Sequence, residues 1–183
     1  GGRAGVDLGG VRIIKKKQRR LPDRRVRRRP RTARPALRRA ARRASRTVIS
    51  ALDTSVLLDV FLPDEHFVRA SRNAIAESLA RGALVICEPV YAELSSVFDD
   101  QALLDRVLER SKIRVEAVSR DAAFRAGRIF RGYRNAGGKR DRIITDFLIG
   151  SHATVRASRL VTRDRGFYRE HFGDLEIVDP TFA

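Results

Sequence analysis

The chain has 183 residues and a formal net charge of +17, with 39 Lys and Arg against 22 Asp and Glu. Its single cysteine, Cys87, can form neither an intramolecular disulfide nor a cysteine-rich zinc site, which excludes a disulfide-stapled secreted scaffold and a zinc ribbon. No run of residues is long and apolar enough for a membrane helix, so we expect a soluble protein in a reducing, cytoplasmic environment without a membrane partner.

The positive charge is concentrated at the amino terminus. Residues 1–47 hold 19 Lys and Arg and only two acids, whereas the other 136 residues hold 20 basic and 20 acidic side chains. Clustered like charges, three prolines and few large apolar side chains predict that residues 1–47 are a disordered basic extension. Residues 35–46 have the spacing of a short basic helix, but we predict no role for the extension beyond non-specific affinity for polyanions.

Residues 48–183 alternate short β-branched runs with longer helical patterns. The predicted strands are 48–52, 84–87, 113–118, 159–162 and 175–178. The predicted helices are 54–62, 67–80, 89–98, 102–109, 121–135, 143–157 and 166–172. Strands separated by crossover helices predict a three-layer α/β/α domain around a central, mostly parallel sheet of four to five strands. The length of this region fits one hydrophobic core.

Four carboxylates stand at positions that favour a functional site. Asp53 directly follows the first predicted strand and Asp164 follows the fourth, so both lie at the carboxyl edge of the sheet, where such folds bind ligands. Glu93 and Asp146 are embedded in apolar helical segments, PVYAEL and IITDFLIG. An ionised carboxylate buried in an apolar environment is costly without a partner, so each of these two positions predicts one.

Each carboxylate alone also has a simpler explanation. Asp53 and Asp164 could cap the helices that follow them, Glu93 could face solvent, and Asp146 could complement a helix dipole. It is less plausible that all four explanations hold at once, since two strand ends and two apolar helices each place one carboxylate at the same edge of the sheet. Hard oxygen ligands of this kind favour Mg²⁺ or Mn²⁺ over zinc.

Four segments together resemble the signature blocks of PIN-domain ribonucleases, most closely the VapC-type toxins of prokaryotic toxin-antitoxin pairs. The segments are ALDTSVLLDVF, CEPVYAELSSVF, RIITDFLIGSHA and LVTRDRGFY, and their order and spacing cover essentially all of residues 48–183. The resemblance implies a PIN-like nuclease domain whose acidic quartet binds Mg²⁺ or Mn²⁺ and carries RNA phosphodiester hydrolysis. The implied quartet comprises Asp53, Glu93, Asp146 and Asp164.

The same resemblance implies further residues and partners. Hydroxyls at Thr54 or Ser55 and at Thr162 would support the first and fourth carboxylates. A homodimer and a cognate antitoxin that blocks the acidic pocket are the implied protein partners. The basic extension has no counterpart in the usual pattern of the family.

Basic side chains near the acidic blocks are candidates for holding the RNA substrate. We predict that Arg140 and Arg142, which lie just before the Asp146 block, contact RNA phosphates. For the arginines of the predicted helix 121–135, a solvated helix face is an equal alternative. Tyr133 in the same helix is predicted to be packed rather than to stack on a base.

Two alternative functions remain open from the sequence. One is a PIN-like RNA-binding protein without catalysis, and the other is a PIN nuclease of housekeeping RNA maturation. Four mutually repelling carboxylates would destabilise a protein that binds no metal, so their presence favours the enzyme. The compact domain and the close match of the blocks favour a toxin.

Overall fold

The computed structural model describes residues 48–62, 65–138 and 143–182. The basic extension and the two predicted RNA-binding residues, Arg140 and Arg142, lie outside the described residues. Within the described part of the chain, no helix is both long enough and apolar enough to cross a membrane.

Strands and helices alternate along the described residues in the predicted order. The strands are β1 (Val48–Leu52), β2 (Gly82–Cys87), β3 (Ile113–Glu116), β4 (Arg159–Val161) and β5 (Glu176–Val178). The helices are α1 (Thr54–Phe61), α2 (Val68–Arg81), α3 (Glu88–Ser95), α4 (Gln101–Arg110), α5 (Arg120–Asn135), α6 (Ile144–Arg156) and α7 (Arg165–His171). A short 3₁₀ turn, Pro180–Phe182, follows β5.

Helix α3 ends at Ser95, three residues before its predicted end. The hydroxyls of Ser95 and Ser96 donate to the carbonyl oxygens of Ala92 and Glu93, both at 2.7 Å, and these bonds compete with further α-helical hydrogen bonding. The backbone N–H groups from Ser96 to Phe98 then bond three residues back rather than four. The chain therefore tightens and leaves the helix at this point.

The five strands form one fully parallel sheet in the order β3-β2-β1-β4-β5. Strand β1 lies in the middle, and its last residue, Leu52, is opposite Val161 of β4. The chain crosses the sheet in one direction from β1 to β3 and in the other from β4 to β5. The carboxyl ends of β1 and β4 therefore form the switch point at which parallel sheets bind ligands.

Helices cover both faces of the sheet, as predicted for a three-layer α/β/α domain. Because connections between parallel strands are right-handed, the reversal of direction after β3 implies that α1 to α4 lie on one face and α5 to α7 on the other. On the second face, Phe147 of α6 contacts Phe130 and Tyr133 of α5 and Phe167 of α7, with ring centroids between 5.0 and 5.5 Å apart. Tyr133 is thus packed among aromatic rings, as predicted.

Two glycines allow close approach between elements. A Cβ atom at Gly150 of α6 would lie 2.5 Å from the ring of Phe172, and a Cβ atom at Gly82 would lie 2.0 Å from the carbonyl oxygen of Val48. Any larger residue would push these neighbours apart. Helix α6, which carries Asp146 in its first turn, is therefore held tightly against the segment that follows α7.

Candidate active site

The first predicted carboxylate lies between hydroxyl groups at the carboxyl ends of β1 and β4. Asp53 is only 7% exposed, and its Oδ2 accepts hydrogen bonds from Ser55 Oγ and Thr162 Oγ1, both at 2.7 Å. Although Asp53 occupies the N-cap position of α1, its side chain makes no capping hydrogen bond. The capping explanation for Asp53 is therefore wrong, because the carboxylate is oriented toward β4 instead.

The hydroxyl groups of Thr54 and Ser55 have different partners. Ser55 Oγ donates to Asp53, whereas Thr54 Oγ1 donates across to Glu93 Oε2 on α3. The resemblance left open which of the two hydroxyls supports a carboxylate. In the structure each supports one, so consecutive residues of α1 connect the first and second carboxylates.

Glu93 is coupled electrostatically to carboxylates on two other elements. Burial raises the pKa of the Glu93 carboxyl above its ordinary value, and the negative charges of Asp53 and Asp146 raise it further. The hydrogen bond from Thr54 opposes these effects by stabilising the ionised form. The end of β1, helix α3 and the first turn of α6 thus bring their carboxylates into one region, and the explanation that Glu93 simply faces solvent does not apply.

Asp164 and Asp146 are fixed by the starts of their helices. Asp164 caps α7, since its Oδ1 accepts a hydrogen bond from the backbone N–H of Phe167 at 3.3 Å. Its own backbone N–H donates at 3.0 Å to the Oγ1 of Thr162, the hydroxyl that also donates to Asp53. Asp146 is half-buried in the first turn of α6, where its charge complements the helix dipole. Both local explanations therefore hold, and each fixes the position of a carboxylate.

Tyr168 of α7 is a buried residue of this site that the sequence patterns do not single out. Its side chain is 1% exposed, and its hydroxyl lies 3.5 Å from Asp53 Oδ1. Burial raises the pKa of Tyr168, and the negative charges of all four predicted carboxylates raise it further. Tyr168 therefore lies within electrostatic reach of the complete quartet. The signals in the sequence are its place at the end of the segment LVTRDRGFY and its position four residues after Asp164, which is the spacing of one helical turn.

The donor atoms of the site suit a hard divalent cation. They are carboxylate and hydroxyl oxygens, which Mg²⁺ and Mn²⁺ prefer. Among the residues that the structure describes, no three His, Cys, Asp or Glu side chains are arranged to hold an ion by themselves. Mg²⁺ typically retains several waters and takes only one or two carboxylates directly, so these residues fit an ion whose shell is completed by water and substrate phosphate.

The one thiol near the carboxylates is not a nucleophile. Cys87 is buried at the end of β2, and this burial, followed by the charges of Asp53 and Glu93, raises its pKa to about 11 despite opposing backbone hydrogen bonds. A thiol with this pKa is protonated at neutral pH and reacts poorly. The chemistry of the site therefore depends on its oxygen atoms.

Comparison with known proteins supports the fold and the family. A PIN domain family model matches residues 50–171, a range that contains all four carboxylates. The fold is similar to VapBC2 from Rickettsia felis bound to a DNA fragment from its promoter, at 22% identity and a TM-score of 0.57 over 72% of this chain and 98% of that one. It is also similar to VapBC-1 from nontypeable Haemophilus influenzae, at 20% identity and a TM-score of 0.56 over 73% of this chain and 99% of that one. A toxin-antitoxin complex from Klebsiella pneumoniae is similar at 20% identity and a TM-score of 0.53 over 72% and 97% of the two chains. No curated protein sequence matches the chain.

Proposed function

Because the chain belongs to the PIN domain family, a family of nucleases, we propose that it is an endoribonuclease dependent on Mg²⁺ or Mn²⁺ and the toxin of a toxin-antitoxin pair, acting in the cytoplasm. One arrangement carries the proposal: the hydroxyl of Thr162 donates to Asp53 and accepts from the backbone N–H of Asp164, so the first and fourth carboxylates share one partner. Thr54, the residue after Asp53, donates to Glu93 and links the second carboxylate to the same strand end. The negative charges of these three carboxylates and of Asp146 also raise the pKa of the buried Tyr168 beside Asp53. Two carboxylates 4 Å apart repel each other by about 4 kcal/mol at an effective dielectric constant of about 20. A divalent cation relieves such repulsion.

The residues of the chain would hold and orient this cation. When bound, the cation supplies charge stabilisation at the scissile phosphate and lowers the pKa of an attacking water. The hydroxyls of Ser55 and Thr162 fix one oxygen of Asp53, and the hydroxyl of Thr54 fixes Glu93. Outer partners of this kind set the orientation and basicity of ligands. The proposed ligands are Asp53, Glu93, Asp146 and Asp164.

The proposal includes two protein partners, a second copy of the chain and a cognate antitoxin that covers the acidic pocket. Support comes from the similarity of fold to the VapBC and toxin-antitoxin complexes. Residues 48–183 would form the nuclease domain and residues 1–47 a basic extension.

Metal removal tests the reaction class. We expect the purified full-length chain to cut RNA internally in Mg²⁺ or Mn²⁺, to stop in excess EDTA, and to resume when Mn²⁺ is added in excess over EDTA. Sequencing the new RNA ends distinguishes internal cuts from trimming at the termini. Cleavage that continues in EDTA would contradict the proposed role of the metal, and trimming alone would contradict an endonuclease.

The outward face of α5 supports an RNA substrate. Phe124 is 73% exposed on this helix, and three arginines on the same side are also exposed. They are Arg120, Arg128 and Arg131. The predicted helix 121–135 contains four arginines, and two of them, Arg125 and Arg134, are half-buried and do not belong to the exposed face. Pairing this face with a second copy of itself would place arginines against arginines, which repel one another. A polyanion such as RNA instead has the opposite charge to the arginines. The exposed ring of Phe124 also offers a surface on which a base can stack.

Substitution of Phe124 tests this surface. We expect Phe124→Ala to weaken binding of single-stranded RNA about 5-fold to 160-fold, because base stacking on an aromatic side chain contributes about 1–3 kcal/mol. A separate variant, Arg128→Ala, should bind RNA with a weaker dependence on salt. The slope of log affinity against log salt concentration should become shallower by about 0.7, the value for one phosphate contact on a single strand. Fluorescence anisotropy of labelled RNA in EDTA measures both without cleavage.

Arg72→Ala, on an exposed position of α2, is the matched control and should bind RNA like the unsubstituted chain. Equal affinity for Phe124→Ala and Arg72→Ala would show that the face of α5 does not contact RNA.

A further inference from the structure

An arginine lies next to Asp164 in the loop after β4, and its guanidinium group is paired with a carboxylate outside the quartet. Arg163 stands between Thr162 and Asp164, two residues of the candidate site. Its Nη2 lies 3.0 Å from Oδ1 of Asp59, a carboxylate of α1 that is only 3% exposed. The positive charge of the loop is thus paired outside the quartet.

Two further contacts fix this arrangement. Ser71 Oγ of α2 donates a hydrogen bond to the second oxygen of Asp59 at 2.6 Å, so both oxygens of that carboxylate are engaged. The guanidinium group of Arg163 also lies over the ring of Phe67, 4.3 Å from its centroid, in a cation–π contact. Helices α1 and α2 together therefore provide a dedicated position for the Arg163 side chain.

The backbone of Arg163 lies close to the first carboxylate. Its N–H donates to Ser55 Oγ at 3.3 Å, and that hydroxyl donates to Asp53 Oδ2 at 2.7 Å. The Arg163 main chain is thus two hydrogen bonds away from the Asp53 carboxylate, a distance that an arginine side chain can span. A guanidinium group binds carboxylates through two parallel hydrogen bonds and would compete directly with a cation there.

We propose that Asp59 is a positioning residue that holds the Arg163 guanidinium group away from the acidic quartet, so that the quartet stays available to a divalent cation. The inference rests on the proposed function, because it assumes that the quartet binds a cation. Stability alone is a weak explanation for the pair, since an ion pair with a buried partner is often no more stabilising than well-packed apolar side chains of similar size.

Direct measurement of Mn²⁺ binding tests this role without reference to activity. Electron paramagnetic resonance of free Mn²⁺ gives the affinity of the full-length chain. We expect Asp59→Asn to bind Mn²⁺ about 10-fold to 100-fold more weakly, the range seen when an outer partner of a metal site is lost. The double variant Asp59→Asn/Arg163→Met should regain most of the affinity, because it carries no guanidinium group that could enter the pocket.

The outcomes separate this inference from the proposed function. If the unsubstituted chain binds no Mn²⁺, the proposed function itself fails. If the unsubstituted chain binds Mn²⁺ and Asp59→Asn binds equally well, the role of Asp59 is refuted. The role of Asp59 is also refuted if the single and double variants bind Mn²⁺ equally weakly. The loss of affinity would then come from a change in loop geometry rather than from the released guanidinium group.

A second variant covers the case in which Asp59→Asn does not fold, as judged by circular dichroism. Ser71→Ala keeps the ion pair but removes the hydrogen bond that fixes Asp59. We expect a smaller loss of Mn²⁺ affinity in this variant, reversed by adding Arg163→Met. Unchanged affinity in Ser71→Ala would overturn the inference.

Discussion

Replacing Asp53 with Asn should lower the rate of metal-dependent RNA cleavage more than about 100-fold, since loss of an outer partner of a metal ligand alone costs 10-fold to 100-fold. Asn has the same shape as Asp, and its side-chain oxygen can still accept the hydrogen bonds from Ser55 and Thr162. The substitution therefore removes the negative charge while keeping the hydrogen bonds from Ser55 and Thr162. Single-turnover cleavage of a labelled RNA measures the effect, and circular dichroism checks that the domain remains folded.

The same experiment includes a graded series. Asp146→Asn should reduce cleavage as severely as Asp53→Asn, whereas Thr162→Ala should cost about 10-fold to 100-fold, because Thr162 only orients the carboxylate. Asp99→Asn, on an exposed aspartate, is the matched control and should cleave at the original rate. Unchanged cleavage in both Asp53→Asn and Asp146→Asn would rule out the proposed active site.

The sequence predicted that Asp53 and Thr162 lie at one edge of the sheet, because they stand after and at the end of short β-branched runs. The resemblance assigned the Thr162 hydroxyl to the fourth carboxylate. In the structure this hydroxyl donates to Asp53 and only accepts from the backbone N–H of Asp164, because β1 and β4 are adjacent. Capping was less predictable. Asp53 and Asp164 have nearly the same local signal, yet only Asp164 caps its helix, because the Ser55 and Thr162 hydroxyls engage the Asp53 carboxylate instead.

Asp59 was not predicted as a functional residue, although a signal for it is present in the sequence. It lies in the apolar segment TSVLLDVF, where a buried carboxylate needs a partner just as Asp146 does. Its partner could not be found in the same way. Arg163 in LVTRDRG looks like any solvated arginine, and only the packing of α1 and α2 beside the loop after β4 shows that it is paired.

The arginines of α5 illustrate a similar limit. Helical spacing alone does not say which side of a basic helix faces the protein. Packing of Phe130 and Tyr133 against Phe147 sets this rotation, which exposes Arg128 and partly buries Arg125. Chemistry of single residues was therefore predictable, whereas their orientation required the packed structure.

Repulsion between Glu93 and the nearby carboxylates should lower the free energy of unfolding of the metal-free protein, and Glu93→Gln should remove this loss of stability. Burial and the charges of Asp53 and Asp146 raise the pKa of Glu93 in the folded state above its ordinary value of 4.5. Between these two pKa values the folded state binds more protons than the unfolded state, so stability falls as pH rises through that window and stays lower above it. In EDTA at pH 7, Glu93→Gln should therefore be more stable than the unsubstituted chain, and its advantage should shrink as the pH falls to 4.5 and below.

Adding a divalent metal should make the unsubstituted chain more stable than Glu93→Gln, the reverse of the order expected in EDTA. Mn²⁺ at 100 times its dissociation constant should stabilise the unsubstituted chain by about 2.7 kcal/mol, because it binds the folded state only. Glu93→Gln lacks one proposed ligand charge and should gain much less from the same Mn²⁺ concentration, although its amide oxygen can still accept the Thr54 hydrogen bond. Urea unfolding with and without Mn²⁺ measures both effects, with Glu109→Gln on the exposed side of α4 as the matched control. A Glu93→Gln variant that is less stable than the unsubstituted chain in EDTA would mean that Asp53 and Asp146 do not repel Glu93 in the fold. Glu93 would then contribute no electrostatic demand for a cation.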